Sequence, residues 1–413
     1  MRPHILVIHR SRGPMAPYLE RIDHTANIVT YVCAAQVLHR IPHDAAVEVA
    51  VFDGTDPVDD AVRRLVDRHG VPERIVAISE ADLLVAACLR SEFGIEGDLP
   101  AHTLPFRDKL VMYQRAVAAG VATPAFADAP AAAAISAFAR EYGFPVVVKP
   151  RLGAGSRDIV ALSTAGDLDD LPDLSSEPFL VQSFCPDDTG TVDGVWTGTE
   201  LGPWRGTRYL HSSLDFADGA NSWGSVDIDD PALNERLAAF ASTVLTALSA
   251  GVPTVFHLEL FLGQPGSPQL QLVEIGGRIP GAAFTHLWRE VHGYDLVGAA
   301  LDIQMGRAPD TRPLLPEQAA GQLLIRPPVS PPCVVTATRF EVARDHQPYH
   351  YAIPAVGQTI TETVGYVDIG ASFRFRGDTS ASVIDAIRHT LSGFRMDCTT
   401  AEFTGSATRV QPS

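Results

Sequence analysis

Short apolar runs punctuate the first hundred positions and alternate with longer stretches of helical period. His4–Ile8 (HILVI), Val47–Phe52 (VEVAVF) and Arg74–Ser79 (RIVAIS) predict buried strands. Asp59–Gly70 and Glu80–Gly94 carry helical periodicity, and each stops on a glycine. Alternating strands and helices imply parallel βαβ units, hence a doubly wound α/β domain over residues ~1–100. No GxGxxG follows the first strand; Ser11, Arg12 and Gly13 read as an ordinary turn.

The pattern then changes. Leu104–Pro124 predicts a helix opened by Asp108 and closed by Gly120. Ala129–Pro145 is alanine-rich, yet Ile135, Phe138 and Tyr142 keep one stripe, so it reads as helix rather than linker. VVVKP (ending at Pro150) and Phe179–Phe184 are strands, and Val192–Tyr209 is strand-like. Pro231–Gly251 is a long helix with Pro at its start and Gly at its end. VFHLELFL and LQLVEIGG are two more strands, followed by a helix over His292–Gly306. A Pro-rich, mostly β region runs from Pro309 to about Gly377, and Ser380–Phe394 is a last helix.

Composition narrows the class. The 413 residues suit two to four domains at ~150 residues each, with 46% hydrophobic residues to build cores. A net charge of −17 argues against nucleic-acid or acidic-membrane partners, which need clustered cations. It leaves room for a local basic pocket. Cys33, Cys88, Cys185, Cys333 and Cys398 are scattered, without a CxxC pair, which fits a reducing cytoplasm. The apolar run in MRPHILVIHR is too short for a signal or a membrane span.

Candidate chemistry starts from lysine. The chain has 32 cationic side chains, and only Lys109 and Lys149 are lysines. Lys149 ends a strand and precedes the loop Arg151–Arg157, where glycines at 153 and 155 can turn N–H groups toward phosphate oxygens. A surface lysine before a flexible turn is an equal reading. Lys109 falls in the first turn of a helix, against the dipole, and an anion such as a phosphate would remove that conflict. VFHLELF and LQLVEIGGR flank a turn-rich LGQPGSPQ, so they predict a hairpin. With the turn centred near Gly266 and Ser267, Glu259 faces Glu274. Two opposed carboxylates among Leu258, Leu260, Leu272 and Val273 repel, and a hard divalent cation such as Mg2+ would remove that cost. On a period of two, Glu274, Gly276 and Arg278 share one face. Arg278 could then neutralise a transferring phosphoryl group, or simply pair with Glu259 or Glu274.

In this order the segments RDKLVMYQRAVAAGVATP, FPVVVKPRLGAGS, FLVQSF…TVDGVW, FHLELFL, LVEIGGRIPG, HGYDLVGAALDIQMG and AAGQLLIRPP resemble the ATP-grasp superfamily of carboxylate–amine ligases. FHLELFL and EIGGR look most like the L-amino-acid (dipeptide) ligases. The resemblance implies an α/β ATP-grasp fold. Its parts are an N-terminal doubly wound domain (1–100), a small subdomain with a linking helix (101–185), a large subdomain with the metal site (186–310) and a C-terminal α+β, mostly β, region (311–413). The two subdomains would clasp ATP.

The resemblance also implies roles. Lys109 and Lys149 bind ATP phosphates. The loop with Gly153, Ala154, Gly155 and Ser156 closes over them. Gln182, Ser183 and Phe184 contact adenine. Glu259 and Glu274 hold Mg2+, with Mn2+ as an alternative, and Lys149 and Arg278 are catalytic. Two departures stand out. The hinge lacks the usual acid, so Asp187 or Asp188 would meet the ribose, and Gly276 stands where Asn is common. Past the metal site, His286, Trp288 and Arg289, with Arg208, His211 and Trp223, are substrate-pocket candidates. The implied reaction makes an acyl phosphate from a carboxylate and ATP, then an amide from a small-molecule amine. A carboxylase or purine-biosynthesis type enzyme, or a nucleotide-binding module without turnover, are the alternatives. The residues leave the assembly open, a homodimer included.

Overall fold

The computed structural model describes residues 2–10, 12, 16–52, 54, 57–211, 216, 221–264, 269–315, 318–362 and 369–401. The turns expected at Gly266–Ser267 and at Ser11 and Gly13 therefore lie outside the described residues. The chain divides into two compact units. The first holds residues 1–206, 230–280 and 294–314, and the second holds 207–229, 281–293 and 315–413. Among the described residues no helix is long and apolar enough to cross a membrane.

Three sheets build the first unit. The N-terminal sheet is parallel, with β1 (His4–His9), β2 (Ile28–Ala34), β3 (Glu48–Phe52) and β4 (Arg74–Ala77) in the order β3-β2-β1-β4. Order reverses at β1, as expected of a doubly wound sheet. Leu6, Ile8, Val32 and Ile75 pack with Val62 and Leu65 of the helix Val58–His69 and Leu89 of the helix Glu80–Phe93. β2 was not anticipated. Its central Thr30 is fully buried, and the hydroxyl is satisfied by His4 Nε2 at 2.9 Å.

The second sheet is antiparallel, with β5 (Phe126–Asp128), β6 (Val146–Pro150), β7 (Val160–Leu162) and β8 (Phe179–Ser183) in the order β5-β8-β6-β7. The helix Ala132–Tyr142 covers it through Ile135, Phe138 and Ala139. Tyr142 departs from the expected stripe: it is about half exposed, with its ring 4.6 Å from that of Phe138. The helix ends at Gly143, whose φ of 83° lets the chain leave the helix.

The third sheet carries β9 (Thr189–Trp196), the start of β10 (Leu201–Tyr209), β12 (Thr254–Phe261) and β13 (Gln271–Gly276), ordered β13-β12-β9-β10. Helices Pro231–Leu248 and Leu296–Gln304 belong to this unit. The latter starts later than expected from His292, because Asp295 caps it by accepting from Gly298 N–H.

In the second unit, Thr207–Tyr209 of β10 pair with β11 (Ser222–Asp227), which is followed across an antiparallel sheet by β14 (Ala319–Ile325), β18 (Ala371–Gly377) and β16 (His350–Ala352). β15 (Cys333–Phe340) pairs with β17 (Thr359–Ile360) and β19 (Phe394–Thr400). Val226, Leu323, Phe373, Phe375 and Phe394 form the core with Val383 and Ile387 of the helix Ser380–Gly393. β19 and the short helix Phe284–Glu290 have no counterpart in the sequence pattern, where both sit in mixed apolar and polar stretches.

The helix Lys109–Ala118 aims the first unit's chemistry, and its start is tightly specified. Asp108 Oδ1 accepts from Leu110 and Val111 N–H groups at 2.9 and 3.3 Å, while Arg151 grips both carboxylate oxygens at 3.0 and 2.6 Å. Asp108→Ala removes the cap and leaves Arg151 without that partner. The expected cost is about 1–2 kcal/mol for the cap alone, read as a lower urea midpoint with an unchanged slope. An unchanged midpoint would show that the helix start is held otherwise.

Candidate functional site

Both lysines of the chain are buried, with Lys109 5% and Lys149 4% exposed. That rules out the surface-turn reading of Lys149. Its Nζ donates to Tyr113 Oη at 3.2 Å and lies 5.4 Å from the centre of the Tyr113 ring. Tyr113, four residues after Lys109 on the same helix face, donates to the Val273 carbonyl at 2.6 Å and lies 3.0 Å from Gln182 Oε1. One hydroxyl thus ties the helix, β6, β8 and β13 together.

Lys109 has found its anion within the chain. Its Nζ is 3.1 Å from Glu274 and donates to the Gly153 carbonyl at 2.7 Å. The loop after Lys149 is therefore gripped through a carbonyl at Gly153, whose N–H is occupied by Pro150 O at 3.3 Å. Farther along, Ala154 and Gly155 are exposed and Ser156 half-buried, with φ of 63° at Gly155 and 59° at Ser156. Arg157 ties the far side of the loop to Glu177 at 2.8 Å.

The hairpin register matches the expectation: Glu259 is the direct partner of Glu274, with a bulge immediately after Glu259. Across the sheet, Thr191, Glu259 and Glu274 form one row and Asp193, His257 and Gly276 the next. Directly opposed residues share a face, and so do residues two apart, so both rows point the same way. His257 Nδ1 lies 2.5 Å from Asp193 and Nε2 lies 3.3 Å from Glu259. Burial alone would favour neutral imidazole, but Asp193 reverses this, and His257 is pushed up to about 9.

Beyond the strand end, Arg278 pairs with neither hairpin glutamate. Its Nε donates to Glu80 at 2.6 Å, and Glu80 is also paired with Arg107. Gly276 has a steric reason: a Cβ there would sit 3.0 Å from Arg278 Cγ. Burial pushes the Glu80 carboxyl up, but Arg278 and Arg107 outweigh it and hold it low. Glu274 follows the same logic, with Lys109 and Lys149 opposing burial and holding it at about 2.

Gln182 is buried against Tyr113, while the N–H groups of Ser183 and Phe184 are spent on the Ala125 and Pro145 carbonyls at 2.9 and 3.2 Å. Asp187 is half-buried and Asp188 exposed. Arg208, Trp223, His286 and Trp288 belong to the second unit. There Trp223 packs edge-on against Tyr209 and Phe284, Trp288 is equally buried, and His286 lies 3.6 Å from Glu290. Both tryptophans are 2% exposed.

Glu80, Tyr113, Asp193 and His257 were missed by the sequence reading. His257 lies two residues before Glu259 and shares its face by strand period alone. Glu80 sits at the carboxyl end of a parallel strand, where such sheets place ligand groups. Tyr113 lies four residues after Lys109 and shares its helix face by period, whereas for Asp193 only the register of a distant strand supplies the signal.

No family model matches the chain. A protein of Sinorhizobium fredii named "Uncharacterized protein y4rH" is 27% identical over 196 residues, which are 45% of this chain and 41% of that protein. The match thus spans about two fifths of the relative's length. Solved structures align along nearly the whole chain. An L-amino acid ligase from Bacillus licheniformis superposes with a TM-score of 0.73 at 14% identity, covering 97% of this chain and 99% of that one. The chain has the ATP-grasp fold. Two other ATP-grasp structures agree. N5-carboxyaminoimidazole ribonucleotide synthetase from Thermotoga maritima gives a TM-score of 0.64 at 15% identity, over 96% and 99% of the two chains. The biotin carboxylase domain of the 2-oxoglutarate carboxylase from Hydrogenobacter thermophilus, in complex with MgADP, ADP and bicarbonate, gives 0.65 at 15%, over 95% and 90%.

Within this ATP-grasp scaffold Lys149 and His257 are both shifted into the range between pH 7 and 9.5, and substituting the lysine separates the two. Burial, aided by Lys109 and opposed by Glu274 and Glu259, lowers Lys149 to about 8. The charged form is the one that attracts an anion, so binding should be strong below pH 8 and fade as pH rises through it. Calorimetry with inorganic pyrophosphate from pH 7 to 9.5 should show this loss in the native chain and a flatter profile in Lys149→Gln. Equal slopes in both would assign the titration to another group.

Proposed function

We propose that the chain is an Mg2+- and ATP-dependent ligase that activates a carboxylate, an amino acid above all, as an acyl phosphate and condenses it with an amine. The observation that carries this reading is the convergence of the only two lysines, both buried, on a directly opposed glutamate pair. Buried cations next to half-buried carboxylates are costly to assemble and suit a ligand that carries both charges, a polyphosphate with a divalent metal ion.

The donor set fits such an ion. Glu259 and Glu274 offer hard carboxylate oxygens from adjacent strands, and Glu274 is held ionised. Glu259 and Glu274 would hold Mg2+ here, and when bound it would supply charge neutralisation at the phosphates. Gly276 in place of a third ligand is consistent with a set of two. Mn2+ has the same ligand preference.

The other residues then have defined tasks. Lys149, fixed by Tyr113, presents its ammonium to the phosphates. Lys109 turns from Glu274 to phosphate once that carboxylate is engaged elsewhere. The loop with Gly153, Ala154, Gly155 and Ser156 covers them, while Gln182, Ser183 and Phe184 border the base and Asp187 or Asp188 the ribose. A carboxylate oxygen attacks the γ-phosphorus as its bond to ADP breaks. Amine nitrogen then attacks the acyl carbon, inorganic phosphate leaves, and the amine proton is released. Arg278, braced by Glu80, would stabilise the negative oxygens of both steps. Excluding water protects the acyl phosphate from hydrolysis.

Incubation with ATP, Mg2+ and pooled amino acids should release phosphate only when an acid and an amine are both present, with a condensed product in the mass spectrum. Phosphate release that ignores amino acids and yields no product would defeat the ligase reading. Lys149→Ala and Glu274→Gln should each lower turnover by about 100-fold or more while circular dichroism stays native. Near-normal turnover in either would place the reaction elsewhere.

A further inference from the structure

The second unit carries a cluster of a different chemical type. His346, Asp385 and His389 each offer one donor atom, all within 4.8 Å of one another. Asp385 and His389 are four residues apart on the helix Ser380–Gly393, so their side chains share one face. His346 comes from the short turn Arg344–His346 beside that helix. The two imidazole rings are 3.9 Å apart between centres, closer than the usual 4.5–7 Å for packed rings.

The backbone holds this approach. Gly393 has no room for a Cβ, which would overlap the Glu341 carbonyl oxygen, and Glu341 N–H donates to Gly393 O at 3.0 Å. The end of β15 thereby lies against the end of the helix, and the chain reaches His346 five residues later. His346 Nδ1 faces Asp385 at 3.5 Å, and its other nitrogen faces Asp345 at 3.7 Å.

We propose that His346, Asp385 and His389 form a site for one zinc-class divalent ion on the second unit. A point equidistant from three atoms at most 4.8 Å apart lies within ~2.8 Å of each in their plane, against about 2.0–2.2 Å for zinc–nitrogen and zinc–oxygen bonds. Shifts of under about 1 Å in three side chains close that gap, and Asp385 is exposed while both histidines are half-buried. Two imidazoles and one carboxylate select Zn2+ or its Co2+, Ni2+ and Cu2+ neighbours over Mg2+. Three protein ligands leave a position for water. Such an ion would staple the helix Ser380–Gly393 to the Arg344–His346 turn, stabilising this unit by mass action.

The test is Zn2+ titration of the chelator-treated full chain by calorimetry, with excess Mg2+ present, and thermal unfolding in parallel. One Zn2+ per chain and a raised unfolding temperature are expected. His389→Ala should abolish this binding, and Asp385→Asn, at an exposed position that leaves packing intact, should weaken it by about tenfold or more. Glu274→Gln in the first unit should leave it unchanged. Zinc binding that survives both His389→Ala and Asp385→Asn, or that vanishes in Glu274→Gln, would overturn the site, as would the absence of micromolar binding to the native chain.

Discussion

The first unit is organised around the repulsion between Glu259 and Glu274. Strand register makes them direct partners, and two like charges opposed across a sheet are unfavourable wherever they sit. The protein answers with cations that are themselves buried. Lys109 reaches Glu274 at 3.1 Å, and His257, held by Asp193, reaches Glu259 at 3.3 Å. Each carboxylate therefore has its own counter-charge, and each counter-charge is fixed by a second partner. Removing a partner would strand a charge away from water, which is why such a cluster resists piecemeal change.

This arrangement also explains why the two lysines differ from the chain's arginines. An ammonium is a compact point charge that can exchange one partner for another, whereas guanidinium forks lock onto carboxylates. The arginines near the site do lock: Arg151 holds Asp108 at the helix start, and Arg107 and Arg278 share Glu80. Lys109 and Lys149 instead make single contacts to Glu274, Gly153 and Tyr113. Arginines build the frame, and lysines remain the exchangeable charges within it.

The two units display contrasting donor chemistry. The first offers paired carboxylates beside buried cations, suited to a hard ion that arrives with phosphate. The second offers two imidazoles and a carboxylate at its surface, suited to a softer ion held by protein and water.

How much of this was legible beforehand follows from the range of each interaction. Strand alternation in VFHLELF and LQLVEIGGR, with a turn-rich link between them, was enough to oppose Glu259 and Glu274, because a hairpin's register is local. The Asp108 cap was legible because capping is local, and the N-terminal domain was legible from strand–helix alternation, although its strand β2 was not. The partners were not. Glu80 meets Arg278 across 198 positions, and Tyr113 meets Val273 across 160. Nothing near Arg278 in the chain distinguishes an ion pair with a hairpin glutamate from one with Glu80. Nor does local pattern reveal that Lys109 already has an anion, or that Trp223 and Trp288 are buried. The sequence by itself determined which side chains could carry charge at the hairpin and the two lysines. Only the tertiary structure decided which charges meet, because electrostatic partners are chosen by distance in space and by burial, and neither is encoded in local period.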